Sequence, residues 1–166
     1  AKELNPQADG SVSRLQFDGL WRLTEIIGCP AAPLHQALGC PSKEFDAQTL
    51  ALFYEGILHE RDLKARIRER GYLVFDYPDG IRAKDVPVVC HPDGNFMGEE
   101  ILETKSVNEA TDAESFIKSH PQYVKQVMGY MRILDMNVAR IVAKARSTGW
   151  ILDDILIEYD PVIIEP

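Results

Sequence analysis

The residues best suited to chemistry in this chain are Asp93, in a His-Pro-Asp-Gly segment, and Glu103 and Lys105, which follow after an apolar stretch. Because side chains alternate between the faces of a strand, Glu103 and Lys105 point the same way if residues 101–105 form a strand. Carboxylate oxygens bind hard divalent cations, and a lysine beside such an ion can position or activate a water. These residues suit hydrolysis of a phosphodiester, although an ordinary Pro-Asp-Gly turn before an exposed strand would use the same residue types.

An amphipathic helix is predicted upstream, over residues 44–70, with Gly71 after its end. One face of it carries Phe53, Ile57, Lys64 and Ile67, and Glu60 fills the gap in this stripe. A glutamate is seldom buried without a partner, so Glu60 needs a cation, a metal ion or a place at the rim. The alternative is an ordinary ion pair with Lys64, one helical turn later.

A second helix is predicted downstream, beginning at Pro121, because a proline at the first helical position loses no hydrogen bond. Gln126 and Tyr130 are neighbours at i and i+4 beside the apolar stripe of this helix. The alternative is that both are polar residues at the edge of a packed helix. The stripe itself is formed by Val124, Val127, Met128, Met131 and Leu134.

Four segments in this order resemble the PD-(D/E)xK nuclease superfamily. Pro92-Asp93 and Glu103-Thr104-Lys105 match its signature, and Gly56 to Glu60 looks like the Gly-x-x-x-Glu/His segment of RecB-like and phage-exonuclease-like nucleases. Gln126 to Tyr130 resembles the Gln-x-x-x-Tyr motif of the same branch, and the run from His120 to Met131 looks like its phage (lambda-type) members.

The resemblance implies a fold and a set of roles. The fold would be α/β, with a restriction-endonuclease-like core of a mixed central sheet flanked by helices, and the site would lie where that sheet forks. Asp93, Glu103 and the backbone carbonyl of Thr104 would hold Mg²⁺ or Mn²⁺. Glu60 would complete the metal shell or bind a second ion, and His59 is a further candidate ligand. Lys105 would position or help deprotonate the attacking water, and Gln126 would orient Lys105 or a phosphate. The residues expected to bind the substrate are Tyr130, Lys125, Arg140 and Lys144.

The function implied is that of a metal-dependent DNA exonuclease acting on linear DNA with a free end, in recombination, replication or repair. Two alternatives stay open. One is a structure-specific or defence endonuclease of the same fold, and the other is a DNA-end-binding protein without turnover. A homo-oligomer or a recombination or replication partner would fit the exonuclease.

Bulk composition describes a globular protein. The 166 residues, 45% hydrophobic and 27% charged, suit a single nuclease domain over 1–166, with a helical extension at 1–43 and the nuclease core at 44–166. The sequence has neither an apolar run long enough for a bilayer nor a signal-peptide pattern, so we expect no membrane association and a cytoplasmic location, in the host cell if the protein is phage-encoded. Its three cysteines fit no metal-site spacing, and we expect no iron–sulfur cluster.

The charge balance is unfavourable for a protein that binds phosphates. With 18 basic and 26 acidic residues, the net charge is −8. Basic side chains nevertheless cluster near the end of the first long helix and along a strand predicted at 138–146. The members of these clusters are Arg61, Lys64, Arg66, Arg68 and Arg70 in the helix, and Arg140, Lys144 and Arg146 in the strand.

Hydrophobic periodicity and turn residues predict the remaining elements. Residues 1–40 should form a helical pair broken at Gly28-Cys29-Pro30, with Ser11 or Ser13 capping a helix that runs through Trp21. Further strands are expected at 72–75, 81–90, 100–107 and 150–159, and helices at 113–118 and 121–135.

Overall fold

The computed structural model describes residues 19–29, 31–40, 44–109 and 112–164. The positions expected to cap the first helix, Ser11 and Ser13, lie outside the described residues. The expectation that this helix continues through Trp21 is wrong. Strand β1 (Trp21–Arg22) lies there, because the Trp21 backbone N–H donates to the Pro87 carbonyl at 2.8 Å. Helices α1 (Leu23–Gly28) and α2 (Ala32–Ala37) follow, on either side of the predicted break.

A mixed five-stranded sheet forms the centre of the molecule. Its strands, in spatial order, are β2 (Val74–Phe75), β5 (Gly94–Phe96), β6 (Glu100–Val107), β7 (Val138–Ala145) and β8 (Ile151–Glu158). The pair β6 and β7 is parallel and the other neighbours are antiparallel. The β6 strand has the predicted bounds, and it is central to the sheet, with Ile101 fully buried on one face and Leu102 on the other.

A smaller three-stranded sheet has the order β1, β4 (Val88–Cys90), β3 (Ile81–Arg82). The prediction of one continuous strand over 81–90 is wrong, because Ile81 and Cys90 face each other in an antiparallel hairpin. Pro87 has no N–H to donate to a strand ladder, which favours a turn at this point. The chain then leaves β4 and enters β5 of the larger sheet through His91, Pro92 and Asp93.

Helices pack on both faces of the central sheet. Helix α3 (Ala47–Glu69) begins at Asp46, whose side chain accepts from the Thr49 N–H at 2.7 Å, and Gly71 follows it with a φ of 88°. On the opposite face lie α4 (Ala113–Ser119) and α5 (Pro121–Leu134), and α6 (Pro161–Ile164) closes the described chain. The helices predicted at 44–70, 113–118 and 121–135 are therefore present, with small differences at their ends.

The two faces of the sheet are packed unequally. Val127, Tyr130 and Met131 of α5 are buried in the larger cluster against β6 and β7, whereas α3 contributes the buried Leu63 to a smaller cluster with Leu102 and Val142. The predicted stripe on α3 is correct near Ile67, which packs against this smaller cluster, and wrong in the first half of the helix. There Phe53 is 52% exposed and Ile57 46% exposed.

None of the helices in these described ranges is long and apolar enough to span a bilayer.

Candidate active site

The central sheet opens beside β6. Strand β5 pairs with β6 only as far as the register Gly94 to Leu102, whereas β7 accompanies β6 to Val107. Beyond Leu102, the edge of β6 that faces away from β7 therefore has no strand partner among the described residues. Asp93 fills this position, because its Oδ2 accepts from the Thr104 backbone N–H at 2.7 Å and from the Thr104 hydroxyl at 2.6 Å.

The Thr104 carbonyl faces the same opening. In a strand, the N–H and C=O of one residue point toward the same edge. Since the N–H of Thr104 meets Asp93, the carbonyl of Thr104 points to the Asp93 side and away from β7. A carboxylate and a backbone carbonyl thus lie together at the fork.

Glu103 is a buried carboxylate in a partly satisfied hydrogen-bond network. It is 2% exposed, and its Oε1 accepts from the Lys105 ammonium and from Gln126 Nε2, the latter at 2.8 Å. Its Oε2 is also buried and has no hydrogen-bond partner among the described residues. Burial, reinforced by the negative charge of Asp93, raises the pKa of Glu103 to about 8.

Lys105 lies on the same face of β6 as Glu103, as period-two alternation predicts. Burial alone would lower the pKa of Lys105, but the charges of Glu103 and Asp93 outweigh it and hold that pKa above its usual value. The Lys105 Nζ also lies 4.7 Å from the ring centroid of Tyr123, and that ring stacks on His120 at 5.3 Å. Sequence reasoning missed Tyr123, although its position three residues before Gln126 places both on one side of α5.

Gln126 and Tyr130 connect helix α5 to the fork. Gln126 Nε2 contacts both Glu103 and the Tyr130 hydroxyl, the latter at 2.6 Å, and the Tyr130 hydroxyl donates to the His91 carbonyl at 3.3 Å. Tyr130 is only 1% exposed, and burial, followed by the charge of Glu103, raises its pKa. The structure thus places Tyr130 behind Gln126 and against the turn that precedes Asp93.

Glu60 lies across the opening, on helix α3. Its side chain is 33% exposed and accepts from Lys64 at 3.0 Å, so the ion pair weighed as the alternative is present. Glu60 also lines one cavity with Asp93, and its charge adds to the effect of burial in raising the pKa of Asp93. His59 is half-buried on the same helix and does not line the cavity described next.

A cavity of about 540 Å³ extends from Asp93 along α3. It has both acidic and basic walls, with Arg61, Lys64 and Arg68 contributed at helical spacing by the basic cluster identified in the sequence. The residues that matter most for its charge are Glu60, Arg61, Lys64, Arg68, Asp76 and Asp93.

The other predicted substrate-binding residues lie elsewhere. Lys125 is exposed on α5. Arg140 pairs with Glu100 at 2.6 Å, and Lys144 pairs with Asp62 at 2.9 Å. Neither Arg140 nor Lys144 lines the cavity, so both cations of β7 connect neighbouring elements of the fold.

The donor set at the fork suits a hard divalent ion, because it consists of carboxylate and carbonyl oxygens. The Oε2 atom of Glu103 has no hydrogen-bond partner among the described residues, and the pKa of that carboxyl is raised. A bound cation would supply the missing partner and would stabilise the ionised carboxylate. Within the described part of the chain, no three His, Cys, Asp or Glu side chains converge closely enough to form a metal cluster on their own. The oxygen donors at the fork are therefore the Asp93 and Glu103 carboxylates and the Thr104 carbonyl, and the Glu60 carboxylate is more exposed to solvent than that of Glu103.

Comparison with known proteins yields structural relatives. No family model matches the chain, and no curated protein does either. The crystal structure of LHK-Exo in complex with dAMP is similar with a TM-score of 0.65 and 21% identity, over 88% of this chain and 80% of that one. A structure of the same alkaline exonuclease, from Laribacter hongkongensis, gives a TM-score of 0.63 and 20% identity over the same shares, 88% and 80%.

A phage related exonuclease from Haemophilus somnus 129PT is also similar, with a TM-score of 0.57 and 16% identity over 85% of this chain and 74% of that one. Similarity at such identities establishes the fold. The predicted restriction-endonuclease-like α/β architecture, with a mixed sheet flanked by helices, is confirmed.

Proposed function

We propose that this protein is a Mg²⁺- or Mn²⁺-dependent DNA exonuclease of the PD-(D/E)xK type. The observation that carries the proposal is the meeting of the Asp93 and Glu103 carboxylates with the Thr104 carbonyl at the open edge of β6, with Lys105 bound to Glu103. Independent support comes from the likeness in fold to proteins described as an alkaline exonuclease and a phage related exonuclease.

Asp93, Glu103 and the Thr104 carbonyl would hold the ion, and Glu60 would complete its shell or bind a second ion. When bound, a divalent ion acts as a Lewis acid toward the phosphate and lowers the pKa of a coordinated water. Glu60 is a better candidate ligand than His59, because Glu60 lines the cavity and His59 does not.

Lys105 would position the attacking water rather than take its proton. Its raised pKa keeps it an ammonium at neutral pH, and an ammonium has three donors and no acceptor. Glu103 and the Tyr123 ring hold this ammonium in place. Gln126 would act indirectly, through Glu103. It donates to the same Glu103 oxygen that binds Lys105, and it would fix the orientation of that carboxylate.

The substrate would enter along the cavity beside α3. Arg61 lines that cavity, is exposed, and makes no ion pair with any described residue, so its guanidinium is available for a phosphate. LHK-Exo has been crystallised with dAMP, which makes a DNA end the substrate we infer for this chain. Arg140 and Lys144, tied to Glu100 and Asp62, would contribute less to binding than the sequence suggested, and Tyr130 would support Gln126.

The net charge of −8 limits how long the protein can hold DNA. We infer that processing of long DNA, as in recombination, replication or repair, would require a closed homo-oligomer or a partner protein. Activity on long substrates should then fall steeply as salt is added.

Digestion of end-labelled linear DNA and of closed circular DNA tests the proposal. We expect progressive release of short products from linear DNA in Mg²⁺ or Mn²⁺, survival of closed circles, and complete loss of cleavage with a chelator. Cleavage of closed circles would favour the endonuclease alternative of the same fold. Binding of linear DNA without any product, under every metal condition, would favour the DNA-end-binding protein.

A further inference from the structure

Lys64 of helix α3 holds together three parts of the site. Its ammonium donates to Glu60 Oε1 at 3.0 Å, approaches Asp76 Oδ1 at 2.7 Å, and donates to the backbone carbonyl of Asp93 at 2.7 Å. An ammonium has three hydrogens, so these three acceptors use its full capacity. The Lys64 side chain is only 13% exposed.

This arrangement differs from a surface ion pair. A Lys and a Glu one helical turn apart on an exposed helix stabilise it only slightly. Lys64 instead reaches a carbonyl that is 29 residues away in the chain. The contact joins α3 to the segment that carries the chain from one sheet to the other.

Asp93 is consequently fixed from two directions. Its side chain is bonded to Thr104 of the sheet, and its backbone carbonyl is bonded to Lys64 of the helix. The direction in which a side chain leaves the backbone follows from the backbone conformation. Loss of the Lys64 bond would therefore let the Asp93 carboxylate turn relative to Glu103.

Asp76 anchors Lys64 on the outer side. Arg68 donates to Asp76 Oδ2 at 2.7 Å, so two cations and two carboxylates, those of Glu60 and Asp76, form a charge-balanced network along the cavity. The hydrogen bond from Lys64 is the main reason that the pKa of Asp76 lies below its usual value.

We propose that Lys64 is a positioning residue that holds the Asp93 turn and the Glu60 carboxylate in the arrangement needed to bind the divalent ion. The inference rests on the proposed function, since it concerns the same site. Lys64 acts through Asp93 and Glu60, and Lys105 keeps its separate place at the attacking water.

Mn²⁺ titration calorimetry on Lys64→Met, Lys64→Arg and the wild type provides the test, with thermal unfolding measured in parallel. We expect Lys64→Met to fold and to bind Mn²⁺ about 10- to 100-fold more weakly, the usual effect of losing a residue that orients metal ligands. Lys64→Arg should recover most of the affinity, because a guanidinium can donate to a carbonyl and to carboxylates. Lys118→Met is the matched control, since Lys118 pairs with Glu114 at i and i+4 on another helix, and its affinity for Mn²⁺ should equal that of the wild type.

If the wild type binds Mn²⁺, either of two results would overturn the positioning role of Lys64 without affecting the proposed function. Unchanged Mn²⁺ affinity in Lys64→Met, with or without a lower melting temperature, would make Lys64 purely structural. Tighter binding, or uptake of an additional ion, would make its ammonium a competitor of the metal. A wild type that binds no Mn²⁺ would overturn the proposed function as well.

Should Lys64→Met fail to fold, Asp76→Asn provides the same test. It keeps Lys64 and removes the charge that anchors it, so we expect a loss of Mn²⁺ affinity smaller than the about 10- to 100-fold loss expected for Lys64→Met. Affinity equal to that of the wild type would then count against the proposal.

Discussion

Two walls of the site are built in different ways. The sheet wall consists of Glu103, Thr104 and Lys105 of β6 with Gln126 behind them, and the helix wall consists of Glu60 and Lys64 of α3. Glu103 is 2% exposed, whereas the Glu60 side chain is 33% exposed. The backbone ladder with β7 and the core under α5 fix the sheet wall, whereas side-chain ion pairs and the bond from Lys64 to the Asp93 carbonyl hold the helix wall.

The difference indicates which parts can adjust. A strand paired along its length cannot rotate one residue without moving its neighbours, so the spacing of Glu103 and Lys105 is rigid. The Glu60 carboxylate has only its partly exposed pair with Lys64, and a pair of that kind contributes little energy and is easily rearranged. We therefore expect the sheet wall to determine the chemistry and the helix wall to tune metal affinity.

Replacement of Lys105 should give the largest effect. Lys105→Ala removes the ammonium that would position the water, so turnover on end-labelled DNA should fall by about 10²- to 10³-fold, the usual cost of removing one fixed hydrogen-bond donor at the reacting centre. Mn²⁺ affinity, measured by calorimetry, should be retained because Asp93, Glu103 and the Thr104 carbonyl are intact. Full turnover in this variant would show that Lys105 has no role in catalysis.

In the metal-free protein, the burial of Glu103 should make the free energy of unfolding depend on pH. Its pKa is about 8 in the folded protein against an ordinary value of 4.5. Between these values the folded state keeps a proton that the unfolded chain releases, so stability falls as pH rises from about 4.5 to 8 and is constant above that. At about 1.4 kcal/mol per pKa unit, the loss amounts to a few kcal/mol.

Urea unfolding in a chelator at pH 6 and pH 8.5 measures the part of this loss that falls above pH 6. Glu103→Gln removes the titrating group while keeping its shape, so the variant should lose much less stability than the wild type over the same interval. Parallel losses in the two proteins would mean that Glu103 is ionised in the metal-free fold at neutral pH.

Gln126 should have a smaller effect, because it acts on Glu103 from behind. Gln126→Leu leaves Glu103 with one donor fewer, and we expect about a 10- to 100-fold loss in metal affinity or turnover, as for other residues that orient metal ligands. Tyr130→Phe keeps the bond between Gln126 and Glu103 and should cost less, which makes it the matched control. Equal losses in both variants would argue that helix packing, rather than the orientation of Glu103, is what Gln126 provides.

The sequence was most informative where contacts are local. Alternation along β6 placed Glu103 and Lys105 on one face, and helical spacing placed Gln126 beside Tyr130, where the two are hydrogen-bonded. Both relations depend only on the period of a regular element. The bounds of β6 followed from the same signal.

Contacts between distant parts of the chain could not be predicted in this way. The bond from Lys64 to the Asp93 carbonyl and the pairs of Arg140 with Glu100 and Lys144 with Asp62 depend on how elements pack. The hairpin over residues 81–90 was missed because its strands have only two and three residues, too few for a period to be visible. The exposed first half of α3 was missed because an apolar stripe does not reveal where its partner surface ends.

Glu60 should give the smallest effect, and it provides the clearest comparison between the walls. Glu60→Gln keeps the side-chain volume and can still accept from Lys64, so the melting temperature should change little. The loss of its negative charge beside Asp93 should weaken Mn²⁺ binding by less than about tenfold, since a single partly exposed charge contributes about 1 kcal/mol or less. Such a small loss corresponds to the second-ion role proposed for Glu60. A loss as large as that in Gln126→Leu would instead mean that Glu60 completes the shell of the catalytic ion and that the helix wall closes onto it. An unchanged affinity would restrict the metal site to the sheet wall and Asp93, and would leave Glu60 as the partner of Lys64.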